Sequence, residues 1–334
     1  MRHPKLAAID IGTNTFRLLI AEVNTAPGQT NYSIKEICSK RTITRLGNGI
    51  ADSGVINEQA VTRGIKALKQ FSRIISRHKV EKISAVATSA LREAKNSRHF
   101  LDKARAEAGL DIKVISGRQE AKLTASGMLI DMTPPKSALM LDIGGGSTEL
   151  IFMKGGKPPA VHSLDLGVVY LAGKYMISDP PLTGDLIQME EETSGKIKSS
   201  VKSFKKLFSR DTVCIGTAGT VTALAAISQD IGTAGTVTAL AAISQDIRRF
   251  NHNKIHKSIL TLENVRNIFS TLSGLSSKER AEYVPFELAR LDIIVPGTLI
   301  LLKLMDSFGF KEMTVSNYGL LEGTLLDLCK KERK

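Results

Sequence analysis

Tryptophan is absent and aromatic residues make up only 5% of the 334-residue chain, so a purine-stacking surface is not obvious. Aliphatic side chains can also cover a base, however. Three cysteines, Cys38, Cys214 and Cys329, stand far apart, odd in number and without a CxxC pair. They read as buried reduced thiols rather than as a disulfide framework or a metal site. No apolar run reaches the roughly 18 residues of a membrane span, so no membrane partner is expected. The N-terminal stretch MRHPKLAAIDIG turns acidic and glycine-rich too early for a secretory signal, which makes the cytoplasm the expected location. Zinc-finger patterns and aromatic–basic runs are missing too, and with them the base-reading apparatus of a nucleic-acid partner.

Charge of one sign is plentiful. Forty-six Lys and Arg against 33 Asp and Glu give +13 with histidines neutral, which suits a polyanionic partner such as polyphosphate or a highly phosphorylated nucleotide. The denser basic groups, 198–210, 248–257 and the tail KKERK, are scattered and do not choose among anions. Apolar residues at 42% supply enough material for a sizeable core, and the length suits two domains or one unusually large one.

The pattern along the chain is strand, strand, strand, helix, strand, helix, strand, helix. Strands are expected at 5–10, 15–23 and 32–38, a helix at 58–76, a strand at 83–88 and a helical region at 90–109. A strand at 111–116 and a helix from Gln119 follow. After DMTPPKS (131–137), a candidate hinge, the pattern restarts with strands at 137–144, 147–156 and 160–167. A helix at 190–208, a strand at 212–216 and an alanine-rich helix come next. The expected division is 1–130 and 131–334. Sixteen residues, IGTAGTVTALAAISQD, occupy 215–230 and recur unchanged at 231–246. Perfect identity indicates a recent duplication or a sequence irregularity, and two copies are too few for a solenoid.

Each half opens on strand, small-residue loop, strand: AIDIGTNTFRLLI (8–20) and LMLDIGGGSTELIF (139–152). Glycines let N–H groups approach an anion with no Cβ in the way. Either loop alone is compatible with an ordinary hairpin turn. Together, with GTAG as a third small-residue loop, they point to a phosphate chain held by hairpin amides and hydroxyls. The common phosphate fingerprints are absent, because there is no GxxxxGK(S/T) loop and GGGST opens a strand rather than a helix.

Asp10 and Asp142 end equivalent strands, and Glu149 follows Asp142 across the glycine turn. Asp142 and Glu149 are candidate ligands for Mg2+, directly or through its waters, with a buried structural pair as the alternative. In VISGRQEAKLTAS (114–126), Glu120 lies just after a strand and turn. It is either a carboxylate that deprotonates water or a residue favoured by the helix dipole. Arg92 in ATSALREAKNS (87–97) is a candidate clamp for phosphoryl oxygens or a surface arginine.

These motifs, with CIGTAGTVTALA, RLDIIVPGTLIL and TVSNYGLLEG, resemble the exopolyphosphatase and guanosine pentaphosphate phosphohydrolase (Ppx/GppA) family from residue 6 to about 325. The resemblance implies an α/β fold of two ribonuclease-H-like domains, of the actin, Hsp70 and sugar-kinase class, around a central cleft. It implies that the last helix packs back on the first domain and that the protein forms a homodimer. The implied activity is Mg2+-dependent hydrolysis of the terminal phosphoanhydride of inorganic polyphosphate, or conversion of guanosine pentaphosphate to the tetraphosphate. Glu120 matches the catalytic glutamate and Arg92 the phosphate-contacting arginine. Asp142 and Glu149 match the acidic residues near the metal. Phosphate binding then falls to Asp10, Thr13 and Asn14, to Gly144, Gly145, Gly146 and Ser147, and to Gly216, Thr217, Gly219 and Thr220 of the first repeat copy or, if that copy is displaced, to residues 232–236 of the second. Three departures stand out: Gln119 where the family usually has a first glutamate, Leu321 where it often has arginine, and the duplication. Competing classes are an actin-like ATPase or kinase, and a non-catalytic regulator that binds polyphosphate or an alarmone.

Overall fold

The computed structural model describes residues 4–25, 32–155, 159–217, 221–225, 227, 255–283, 288 and 291–331. It divides into two compact units. One comprises Met1–Pro134 with Tyr318–Lys334, the other Pro135–Asn317.

The first unit holds a five-stranded sheet of β1 (Lys5–Ile11), β2 (Thr15–Thr25), β3 (Tyr32–Ile43), β4 (Lys82–Ala87) and β5 (Ile112–Val114), ordered β3-β2-β1-β4-β5. The first three strands form an antiparallel meander, and β4 and β5 join in parallel. Strand β1 is apolar on both faces because both faces are covered. Ala7, Ile9 and Ile11 pack beneath α2 (Glu58–His78) and α4 (Ser97–Ala108), while Leu6 and Ala8 pack against the C-terminal helix.

The 90–109 region is not one helix. A short α3 (Ser89–Glu93) stops at Ala94, and the Asn96 side chain bonds both backbone groups of Ile56, so α4 starts anew at Ser97. Short α1 (Ile50–Ser53) precedes α2. Helix α5 (Gly117–Met128) begins two residues before Gln119, because Ser116 caps it.

The second sheet contains β6 (Ser137–Ile143), β7 (Thr148–Lys154), β8 (Ala160–Leu164), β9 (Thr212–Thr217), β10 (Ile259–Thr261) and β11 (Glu312–Val315), ordered β10-β11-β9-β6-β7-β8. Leaving aside β10, an antiparallel edge strand, its order repeats that of the first sheet. Both sheets therefore carry the ribonuclease-H-like arrangement that the resemblance implies. Helices α6 (Val168–Tyr175), α7 (Thr183–Phe204), α8 (Leu262–Ser273), α9 (Ser277–Tyr283) and α10 (Ile294–Phe308) also lie in this unit. Helix α7 begins seven residues before the expected 190, and α6 has no counterpart in the sequence reading.

Helix α11 (Leu320–Lys331) belongs to the first unit, packing on α5 almost backbone to backbone. A Cβ at Gly127 would lie 1.9 Å from the Gly319 carbonyl oxygen, and one at Gly323 would lie 1.8 Å from that of Leu123. Leu321 is buried against β1 and β2 beside Leu325 and Leu326. Its departure from arginine thus places an apolar side chain in a core, where a charge would be costly. Cys214 and Cys329 are buried and Cys38 is half-buried, and burial pushes the Cys214 thiol well up.

Candidate active site

The two loops are built alike. The Gly12 N–H donates to the Thr15 carbonyl at 3.2 Å, and the Gly144 N–H donates to the Ser147 carbonyl at 2.9 Å. A Cβ at either glycine would stand 3.0 Å from that same oxygen, a contact tight enough that a side chain there would press the carbonyl outward. Each aspartate lies one residue before its strand's end and faces the residue seven positions on across the turn, Asp10 opposite Arg17 and Asp142 opposite Glu149.

Chemistry separates these pairs. Arg17 donates from Nε and Nη2 to Asp10 Oδ2 at 2.9 and 2.7 Å, so the first aspartate, only 4% exposed, meets a cation. The Asp10 Oδ1 atom is buried without a hydrogen-bond partner among the described residues. At the second loop a carboxylate faces a carboxylate, an arrangement that is unfavourable between strands unless something positive or donating joins it. Glu149, 2% exposed, takes hydroxyl hydrogen bonds on Oε1 from Ser147 at 2.7 Å and Ser163 at 3.0 Å. These donors fix the Glu149 rotamer beside half-buried Asp142.

Among the described residues no group of three or more His, Cys, Asp or Glu side chains is placed to hold a metal ion. Two facing carboxylates are nonetheless a suitable donor set for Mg2+, which takes oxygen ligands, keeps waters and shares phosphate oxygens. Asp142 and Glu149 are the residues that fit it.

Around the 144–147 turn, helix α6 supplies a floor. The Val168 and Val169 N–H groups donate to the Gly144 and Gly145 carbonyls at 3.1 and 2.9 Å, so the first amides of α6 are spent on the loop. The N–H groups of Gly145 and Gly146 make no hydrogen bond among the described residues. Gly167 permits this contact, because a Cβ there would fall 2.3 Å from the Gly145 oxygen and the Gly146 carbonyl carbon. Helix α6 is in turn tied to α7 through Glu192, which accepts from Lys174 at 2.7 Å and from Tyr175 at 2.6 Å, with Lys196 3.1 Å away. Burial pushes the Glu192 carboxyl up, but hydrogen bonds from Lys174, Tyr175 and Lys196 outweigh it and hold the group at about 2.

In the first unit, Glu120 occupies the first turn of α5 and is 8% exposed. Arg92 Nη1 donates to Glu120 Oε2 at 3.0 Å and to the Ile115 carbonyl at 3.1 Å. Arginine and glutamate, read separately from sequence, are thus brought together, with both bonds on one nitrogen of the guanidinium. Gln119 completes a capping box with Ser116, its Oε1 accepting from the Ser116 N–H at 3.1 Å. Glutamine serves that role as well as glutamate does, which gives this departure a structural reason.

Thr13 shares a hydrogen bond with Ser89 at 2.8 Å between hydroxyls, and the Asn14 carbonyl accepts from Thr44 and Arg45. Gly216 and Thr217 end β9, where Thr217 stands opposite Asp142 and Gly216 packs against Met313. The last three residues of strand β9, Ile215, Gly216 and Thr217, belong to the first repeat copy, and Val221, Ala223, Leu224, Ala225 and Ile227 of that copy enter the core. Gly219, Thr220 and the second copy, 231–246, lie outside the described residues. Ser89, Ser163 and Gly167 were not legible as site residues. Each acts through a partner distant in sequence.

A model of the Ppx/GppA phosphatase family matches residues 24–332. The chain belongs to this family. It is similar to the Aquifex aeolicus Ppx/GppA family member over 100% of both chains, at 30% identity and a TM-score of 0.76. It is also similar to an exopolyphosphatase from Cytophaga hutchinsonii over 98% of each chain, at 26% identity and a TM-score of 0.82. Among curated relatives, Exopolyphosphatase 2 of Mycobacterium tuberculosis is 28% identical across 98% of this chain and 100% of its own length. Ppx/GppA membership carries with it the two-domain actin/Hsp70-like architecture and a phosphohydrolase activity. Among the described residues no helix is long and apolar enough to cross a membrane.

Proposed function

We infer that this Ppx/GppA protein releases orthophosphate from the end of inorganic polyphosphate. The observation that carries the reading is the facing pair Asp142 and Glu149 at a turn whose glycine amides are available to an anion. The relative named Exopolyphosphatase 2, similar along the whole chain, supports polyphosphate as the substrate. The shortage of aromatic residues also favours a substrate without a base.

In this reading Glu120 accepts a proton from the attacking water as its oxygen bonds to the terminal phosphorus. The bond from that phosphorus to the bridging oxygen breaks, and the shortened chain leaves with the bond's electron pair. Arg92 orients Glu120 through Nη1 and offers its remaining donors to phosphoryl oxygens. The N–H groups of Gly145 and Gly146 and the Ser147 hydroxyl hold oxygens whose charge changes in the transition state. Asp142 and Glu149 would hold Mg2+, which when bound would neutralise charge on the phosphate oxygens. Thr13, Asn14, Gly216 and Thr217 line the remaining loops, and Asp10 is held by Arg17 at the first.

Phosphate release measured in parallel from polyphosphate and guanosine pentaphosphate tests this directly. Faster release from polyphosphate is expected. Release from the nucleotide alone would replace the substrate, and ATP-dependent transfer to an acceptor would replace the reaction class. Tight binding without Mg2+-dependent release from either would make the protein a regulator.

A further inference from the structure

None of the residues above lines the groove between α2 and α4, a concavity of about 370 Å³ on the first unit. Its rim is cationic. Lys66, Lys69 and Arg73 follow one another at intervals of three and four along one face of α2, and Lys103 approaches from α4. At 1.5 Å per residue the α2 row runs for about 10 Å.

Part of this charge is already matched. Lys69 pairs with Glu107 at 3.2 Å and Lys103 with Glu58 at 3.6 Å. Exposed Lys66 and Arg73 have no acidic partner among the described residues. Two cations held in a row beside a third and a fourth repel one another, so the groove is complementary to a linear anion that bridges them.

The floor narrows the choice of occupant. Val61 and Ile65, the apolar residues of the groove, are 1% and 5% exposed. Beyond them an acidic protein segment would find only the aliphatic stems of the groove's long charged side chains to cover, not the large apolar or aromatic side chains on which interface cores depend. Among the described residues no aromatic side chain lines the groove, so a single-stranded nucleic acid would find no stacking platform there. A chain made only of phosphates needs neither. We propose that the α2–α4 groove is a second binding site for inorganic polyphosphate, separate from the residues of hydrolysis; this rests on the reading of polyphosphate as substrate. Its consequence is retention: a long chain engages Lys66 and Arg73 in addition to the hydrolytic site, while a short substrate engages the hydrolytic site alone.

The test uses the full chain, wild type against Lys66→Ala/Arg73→Ala, with Lys66→Glu as a second variant. Binding of long-chain polyphosphate is measured across salt concentrations in chelator, so that no phosphate is released. In parallel, kcat and KM are measured with tripolyphosphate and Mg2+. The double variant is expected to bind the long chain about tenfold more weakly and to show a log-affinity against log-salt slope lower by about two, one for each cation removed. Charge reversal at Lys66 weakens binding further, and tripolyphosphate hydrolysis stays unchanged. Unchanged long-chain affinity and slope in both variants would overturn the groove. Polyglutamate or single-stranded DNA binding as tightly as polyphosphate, with the same loss in the variants, would overturn polyphosphate as its occupant. Failure of the wild type to release phosphate from polyphosphate would strike the substrate reading instead, and the binding arm would still decide the groove.

Discussion

Arg92 Nη1 lies 3.0 Å from Glu120 Oε2, with the same nitrogen bonded to the Ile115 carbonyl. The guanidinium is therefore first a holder of the carboxylate. In the proposed reaction its fork would reach phosphate only with the donors that remain. That ordering sets the expected contrast between the two residues.

Glu120→Gln keeps a hydrogen-bond acceptor for Arg92 but removes the proton acceptor. Turnover should fall by about 10² to 10⁴ with little change in KM. Arg92→Ala should lower kcat and raise KM together, because it both releases Glu120 and removes donors to substrate. Steady-state phosphate release checks both, and near-normal turnover in Glu120→Gln would remove it as the base.

Asp142 and Glu149 face each other on paired strands, so either amide variant halves the local negative charge. Asp142→Asn and Glu149→Gln should each raise the Mg2+ concentration needed for half-maximal activity by about tenfold or more. Calorimetric titration of Mg2+ in the presence of a phosphate-chain analogue is the measurement. Identical titrations in wild type and both variants would place the ion elsewhere.

Gly167→Ala would set a methyl group against the Gly145 and Gly146 backbone and displace the turn. A stability loss of about 1–3 kcal/mol is expected, with a larger proportional loss of activity. Gly173→Ala in the same helix is the control, since a Cβ there meets nothing within 4 Å. Thermal melts and phosphate release on both variants decide whether α6 positions the loop. Equal behaviour of the two would refute that role.

Glu192 gives a pH signature. Its folded-state value of about 2 lies below the ordinary 4.5, so its stabilising contribution is complete above the ordinary value and is lost as pH falls toward 2. The difference corresponds to something on the order of 3 kcal/mol for this mostly buried carboxyl. Wild type should lose stability across that window, and Glu192→Gln should show a flatter curve from a lower plateau. Denaturant unfolding at a series of acidic pH values provides the comparison, and parallel curves would dissociate Glu192 from acid stability.

Much of this protein was determined locally. Apolar runs and glycine placement along AIDIGTNTF and LDIGGGSTEL specify two hairpins by themselves, because a tight turn between apolar strands is a short-range property. The opposition of Asp142 and Glu149 follows from the same local register, as does the start of a helix near Glu120. Other features required the chain to fold back on itself. Arg92 meets Glu120 from 28 positions away, Ser163 reaches Glu149 across a neighbouring strand, and Gly167 is required only because the loop backbone lies against it. The same is true of Leu321, which reads as a lost charge in sequence and becomes core once α11 packs on β1 and β2. Periodicity reports which face of an element is apolar, whereas tertiary packing alone decides which distant element covers it.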